Sequence, residues 1–407
     1  MATEKVEIGF DVSGSPLAPF ITLDDPVKGL LGSSEYVIGG TIFYDVTQYV
    51  LGYSISRGKS RQLDRYSAGQ ATVQLDNRAR TFDPLYAGSP YAGQIIPRRP
   101  LRITSNEVRQ IVGSIDDWDL EYQSRGYAVA TAKSSDGLTQ LANQTLPTIS
   151  NSEQLSGARI NAILSNEQVN WNLDARSIDE GQTTLQADVI SNGSNALQYI
   201  QKITEGEPGS FFIDKNGNAR FKDRYGNSSV GSITFADDGT GLPYTNLRVV
   251  YGTELLYNEI VSTRLGGGTA LANNDNSQEQ YGIFNLTLDD LLMDDDTTNQ
   301  NLVNLLISKY ANPEYRFEAL QVQLETLSEA DQNTVLGIEL GDIVRVVFTP
   351  LGVSPAIDRY AEIIRIEQQV GPSQHVVNFG LGSMEVNFWR LSDPFFGKLS
   401  AGNSLAY

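Results

Sequence analysis

Along most of the chain, apolar and polar residues alternate with a period of two, the spacing at which successive side chains leave opposite faces of a strand. Ala71-Thr72-Val73-Gln74-Leu75, Pro100-Leu101-Arg102-Ile103-Thr104, Tyr127-Ala128-Val129-Ala130-Thr131 and Asp342-Ile343-Val344-Arg345-Val346-Val347-Phe348 are such runs, set apart by Gly, Asn, Asp or Pro. The pattern predicts a mainly β protein.

A few segments shift to helical spacing. Asp136 is placed as the N-cap of a helix carrying Leu138, Leu141 and Ala142, which Pro147 keeps from continuing. Residues near 156–165 put Ile160, Ile163 and Leu164 on one face, and Ser194 is positioned to cap a helix carrying Leu197, Ile200 and Ile203 that Gly206 ends. Phe211 to Phe221, two aromatic strand ends around Asn216-Gly217, predicts a hairpin. A last helix is expected from Thr297 to Tyr310, with Leu302, Val303, Leu305, Leu306 and Tyr310 inward. Asp294, Asp295 and Asp296 precede it. Capping is favoured over calcium, because no acidic loop with glycine at its sixth position occurs; in Asp214-Lys215-Asn216-Gly217 the glycine stands fourth.

The alternating runs also repeat. Val73-Gln74-Leu75, Pro100-Leu101-Arg102-Ile103, Gln110 to Ile115 and Tyr127 to Ala130 are echoed by Val322-Gln323-Leu324, Asp342 to Val346, Glu362 to Ile366 and His375 to Asn378. Two similar β-barrels are therefore expected. The boundaries follow: an N-terminal extension (1–39), a first β-barrel (40–136), an α+β insertion with adjoining strands (137–245), a second β-barrel including the helix near 297–310 (246–385), and a C-terminal aromatic tail (386–407).

Composition narrows the chemistry. The 407 residues hold 30 Lys+Arg against 49 Asp+Glu, a net charge of −19, with one His and no Cys. Disulfides, thiolate nucleophiles and sulfur-ligated zinc are excluded, and His375 alone excludes paired-histidine motifs. His375 stands in an alternating run and is expected at a surface strand position. The acidic balance argues against stable nucleic-acid binding, which requires clustered Lys and Arg. No run reaches the ~18 apolar residues of a membrane span, and Met1 to Val12 alternates instead of presenting a signal-like apolar block. No phosphate-binding loop, dinucleotide fingerprint or nucleophile elbow occurs, so no cofactor is expected and Gly266-Gly267-Gly268 reads as a flexible loop. Paired carboxylates of the glycosidase kind stay open, since the acidic residues supply many pairs.

Three features suggest contact surfaces. Arg98 and Arg99, with Arg102 and Arg109, form a small basic cluster suited either to solvated turns or to an acidic neighbouring subunit. The glycines at 266–268 form a second candidate. The tail from Phe388-Trp389 to Phe395-Phe396-Gly397 must pack on its own domain or dock on another chain.

The order Gly40 to Thr47, Ser56-Arg57-Gly58, Ala68-Gly69-Gln70-Ala71-Thr72-Val73-Gln74-Leu75-Asp76-Asn77, Phe82-Asp83-Pro84, Pro97-Arg98-Arg99-Pro100, Gln280-Tyr281-Gly282, Val335 to Asp342 and Asp393-Pro394-Phe395-Phe396-Gly397 resembles minor tail proteins of long-tailed bacteriophages, of the baseplate-hub or tail-tip-hub type. The resemblance implies a non-enzymatic homotrimer at the virion's tail tip. Two barrels per chain would place six around a channel, adapting a sixfold tube to a threefold tip through which DNA passes. It further implies, as partners, a distal tail protein or tail tube, the tape-measure protein, and a central fibre or receptor-binding proteins. A distal tail ring, or a glycan-binding or glycan-cleaving host-contact protein, is the alternative.

Overall fold

The computed structural model describes residues 2–10, 42–124, 126–224, 230–351 and 356–383, with the backbone of Phe388–Trp389 and Ser404–Leu405. Most of the N-terminal extension and of the aromatic tail lies outside the described residues.

Alternation yields strands, as expected, and thirteen of them join one sheet. In chain order they are β1 (Glu4–Phe10), β2 (Ile42–Asp45), β3 (Val50–Gly58), β4 (Ser67–Asp76), β5 (Pro100–Ser105), β6 (Val108–Tyr122) and β7 (Ala128–Ser135). The rest are β8 (Val230–Ala236), β9 (Asn246–Gly252), β10 (Glu314–Gln323), β11 (Ile343–Phe348), β12 (Ile357–Gly371) and β13 (Gln374–Ser383). Neighbours run β9-β10-β13-β12-β3-β4-β7-β6-β5-β1-β2, while β11 joins the first half of β12 and β8 lies parallel to β11. This path has two ends, so among the described residues no strand pairing closes a barrel.

The duplication is real at the level of strand order. One half reads β1-β5-β6-β7-β4-β3 and the other β8-β11-β12-β13-β10-β9. Both central strands, β6 and β12, are 15 residues long and carry a bulge at the same place, between Ile115 and Asp117 and between Ile363 and Arg365. The Arg98 N–H donates to the Ile115 carbonyl at 2.6 Å, and the Gly341 N–H to the Ile363 carbonyl at 2.7 Å. Arg98 and Gly341 share a positive φ, 68° and 76°. Arg102 and Arg345 then fall at matching positions. The sequence match had slipped elsewhere: strand pairing sets Val73-Gln74-Leu75 against Leu320-Gln321-Val322, two residues before the run that alternation suggested. A slip of two keeps every side chain on its face, so hydrophobic pattern alone does not detect it.

Between β7 and β8 lie α1 (Gly137–Ala142), α2 (Ser156–Leu164) and α3 (Ala196–Gly206). Asp136 caps α1 as expected, accepting from the Leu138 N–H at 2.9 Å. The cap of α3 is Asn195, which accepts from the Gln198 N–H at 2.9 Å, while Ser194 donates to the Ser191 carbonyl. The expected hairpin forms from Ser210–Ile213 and Ala219–Lys222. Leu138, Ile160, Ile200, Phe212 and Phe221 share a core with Leu320, Val346 and Phe379 of the second half. The first half has its own core around Val6, Ile55, Val73 and Leu101.

The second half is itself interrupted. Strands Glu259–Arg264, Thr269–Asn273 and Asn285–Leu291 pack with α5 (Asp296–Tyr310) over a third core of Ile260, Leu291, Val303 and Tyr310, and α4 (Asp275–Tyr281) lies beside them. Neither α4 nor α6 (Glu329–Gly337) is evident from periodicity. Both are short and polar, held by the caps Asn274 and Ser328. Asp295 caps α5, accepting from the Thr298 N–H at 2.8 Å. Among the described residues, no helix is long and apolar enough to cross a membrane.

β1 is fastened by charge as well as backbone. The Arg102 guanidinium reaches both Glu7 oxygens, at 2.6 and 3.0 Å, and lies 3.9 Å from the centre of the Phe43 ring. Hydrogen bonds from Arg102, aided by Lys5, outweigh burial and hold the Glu7 carboxyl at about 2.

Two predictions follow from this packing. Gly58 has φ 121°, and a Cβ there would stand 2.3 Å from the Ile364 carbonyl oxygen on β12. Gly58→Ala is expected to cost at least ~1–3 kcal/mol from backbone strain alone, against about 0.5 kcal/mol or less for Gly371→Ala, by urea denaturation. Because the Glu7 pKa is depressed on folding, its contribution is complete above about 4.5 and is lost as pH falls toward about 2. Glu7→Gln should therefore be less stable than the parent at pH 7, with the gap closing through that window in parallel melts.

Candidate assembly interface

The two halves meet along one antiparallel seam. Arg365 to Val370 on β12 pair with Gly58 to Tyr53 on β3. Only the second part of β12 is used, because its first part carries β11.

Beside the seam stands a buried ion pair. Arg57 is 4% exposed, and its guanidinium donates to Glu339 at 2.7 Å and to the Ile213 carbonyl at 3.1 Å. Glu339 also accepts from the Lys215 and Leu340 N–H groups, each at 2.8 Å. Burial pushes the Glu339 carboxyl up, but Arg57 and these N–H donors more than offset it, leaving the pKa below its ordinary value. Three segments are locked together at one carboxylate.

His375 lies in the same junction. It is 2% exposed and not at the surface as expected, because it alternates in phase with Val377 and Phe379, which face the core. Its Nδ1 is 3.0 Å from Glu4 and its Nε2 is 3.1 Å from the Gln368 side-chain oxygen. Gln368 donates in turn to Gln110 at 2.7 Å, and Gln110 to the Val108 and Leu336 carbonyls. Tyr53 and Ser105 donate to the other oxygen of Glu4. The network satisfies polar groups from both halves, with His375, Gln368 and Gln110 buried and Glu4 at its partly exposed end.

The sequence-derived contact residues do not converge on one site. Arg98 is exposed, 3.4 Å from Asp116, and Arg99 turns back to the Gln94 carbonyl at 3.2 Å. Arg102 is occupied by Glu7. Gly266, Gly267 and Gly268 form the hairpin tip of the third unit, where the Gly268 N–H and Arg264 both donate to Asp296, at 3.0 and 2.9 Å. The loop is thus tied to the start of α5. Among the described residues, no group of three His, Cys, Asp or Glu side chains is placed to hold a metal. Trp389 lies in a short strand parallel to Ser404–Leu405, and Phe395 and Phe396 fall outside the described residues.

Two edges escaped the sequence reading. Beyond its bulge, β6 pairs only with β7, leaving the other edge of Asp117 to Tyr122 without a strand among the described residues. Among the described residues, β9 pairs only with β10. The alternation of 117–122 marks a strand, but a missing neighbour has no one-chain signature. Between these edges, the face turned away from the cores exposes Ser54, Ser56, Gln70, Gln74 and Gln369. Its charges are mixed, as where Lys133 pairs with Asp119.

No protein-family model matches the sequence, and no curated protein matches it significantly. Solved structures do resemble it. The 43 kDa tail protein of prophage MuSo2 from Shewanella oneidensis is 10% identical and superposes with a TM-score of 0.56 over 84% of this chain and 94% of that one. A tail protein from Neisseria meningitidis MC58 gives 11% identity and a TM-score of 0.57, over 84% and 93%. The prophage tail protein gp18 from Listeria monocytogenes EGD-e gives 12% and 0.50, over 85% and 93%. At these identities the likeness is one of fold, and the fold is the one these tail proteins share.

Proposed function

We propose that this chain is a structural, non-enzymatic hub of a phage tail tip, three copies forming a ring around a channel. The observation that carries the reading is the duplicated six-strand order, joined within one sheet at β3 and β12. Three chains then supply six near-equivalent modules, the number needed to meet a sixfold tube, while the unequal insertions leave threefold symmetry on the other side. Each module would take the place of one of the two barrels expected from sequence, with β1 and β8 joining from outside the expected bounds, and closure would come from neighbouring copies.

The fold shared with tail proteins supports the tail location. The polar sheet face suits a channel wall: glutamine and serine side chains there offer DNA little of the clustered positive charge that holds phosphates. In this reading the ring stacks on a distal tail protein or the tail tube, receives the end of the tape-measure protein, and carries a central fibre or receptor-binding proteins. The exposed Arg98, with the half-buried Arg99 beside it, would face one of these neighbours.

Copy number tests the proposal. Quantitative mass analysis of purified particles should find three copies per tail; six would assign the chain to a distal ring, and one or two would exclude a hub.

A further inference from the structure

The seam between the two halves specifies how two copies of the chain would join. The bulges align Asp117 with Arg365, so Trp118, Leu120 and Tyr122 on β6 match Ile366, Gln368 and Val370 on β12. The pairing of β3 with β4 and of β9 with β10 likewise matches Tyr53 with Leu247 and Ser54 with Arg248. The β12 edge is covered by β3 of the same chain. Its counterpart on β6 and the counterpart of β3, which is β9, are both left open among the described residues.

We propose that Asp117–Tyr122 of one copy pairs antiparallel with β9 of a second copy, in the register that β12 and β3 use. That register sets Trp118 opposite Tyr251, Leu120 opposite Val249 and Tyr122 opposite Leu247 on one side, and Glu121 opposite Arg248 on the other. The side chains fit. Tyr122 and Tyr251 are 52% and 67% exposed in the single chain, an unfavourable state for aromatic residues on open strand edges. Trp118, Leu120, Leu247 and Val249 already pack on the two cores, so the new pairs extend each core across the junction. Glu121 and Arg248 add an opposite-charge cross-strand pair, of the kind worth a few tenths to ~1 kcal/mol.

The contact is heterologous, since each copy offers one β6 edge and one β9 edge. Such contacts propagate until a ring closes. The inference rests on the reading that copies assemble into a ring and adds where they touch.

The absence of cysteine makes the register testable. Facing residues in an antiparallel pair have Cα atoms about 4.5–5.5 Å apart, within disulfide range. Within one chain six strands of the sheet lie between β6 and β9, and a covalent ladder reads a disulfide that joins two copies. Under mild oxidation, a variant carrying Glu121→Cys and Arg248→Cys should form a covalent ladder ending at the native oligomer. Each single variant, and the slipped pair Asp119→Cys with Arg248→Cys, should cross-link at least tenfold less. Melting curves of the reduced variants check that each is folded. If the matched pair cross-links no better than the slipped pair while native mass spectrometry still finds the oligomer, the copies meet elsewhere and this pairing is wrong, though the ring stands. If the unmodified protein is monomeric in solution and present singly in particles, ring and pairing both fall.

Discussion

The backbone pairing of β3 with β12 is the constraint on which the rest of the molecule depends. It converts two similar sets of strands into one sheet and admits only glycine at position 58, where the Ile364 carbonyl leaves no room for a side chain. Arg57, the preceding residue, is turned by the strand's alternation into the interior, where it would be costly without Glu339. Glu339 in turn draws in Lys215 from the hairpin. A displacement of the seam would strand a buried charge and break three segments apart together.

The two halves share one strand order and differ in what is attached to it. β1 lies antiparallel to β5, whereas β8 lies parallel to β11. Among the described residues the second half is interrupted by a unit with its own core, and it supplies far more of the core around α1, α2 and α3 than the first half, which adds Ala2 and Tyr66. A chain of this design keeps the inner strands uniform and carries its individuality at the periphery, where neighbours of different symmetry must be recognised.

Much of this was legible in the residues. Alternation marked the strands, Asp136 and the Asp294–Asp296 run marked helix starts, and Asn216-Gly217 marked its hairpin. Where the structure differs, two local signals competed or the arrangement of strands decided. Ser194 and Asn195 are both good caps, and the choice fell on Asn195 because its oxygen reaches the Gln198 N–H. α6 is polar along most of its length, yet Ser328 and Asp331 form a capping pair that could have revealed it. His375 is buried although its residue type suits a surface strand position, because its phase with Val377 and Phe379 points it inward. The open edges of β6 and β9 are properties of an arrangement, and no run of residues spells them out.

Glu4 and His375 touch although 371 residues separate them along the chain. Synthesis releases β1 long before β13 exists, so the junction of the two halves cannot be completed until β13 has emerged. Contacts this distant in sequence make folding slow, and through that interval β3 has no β12 to cover it. The same edge that welds the finished molecule is therefore, during translation, the surface most in need of protection from neighbouring nascent chains.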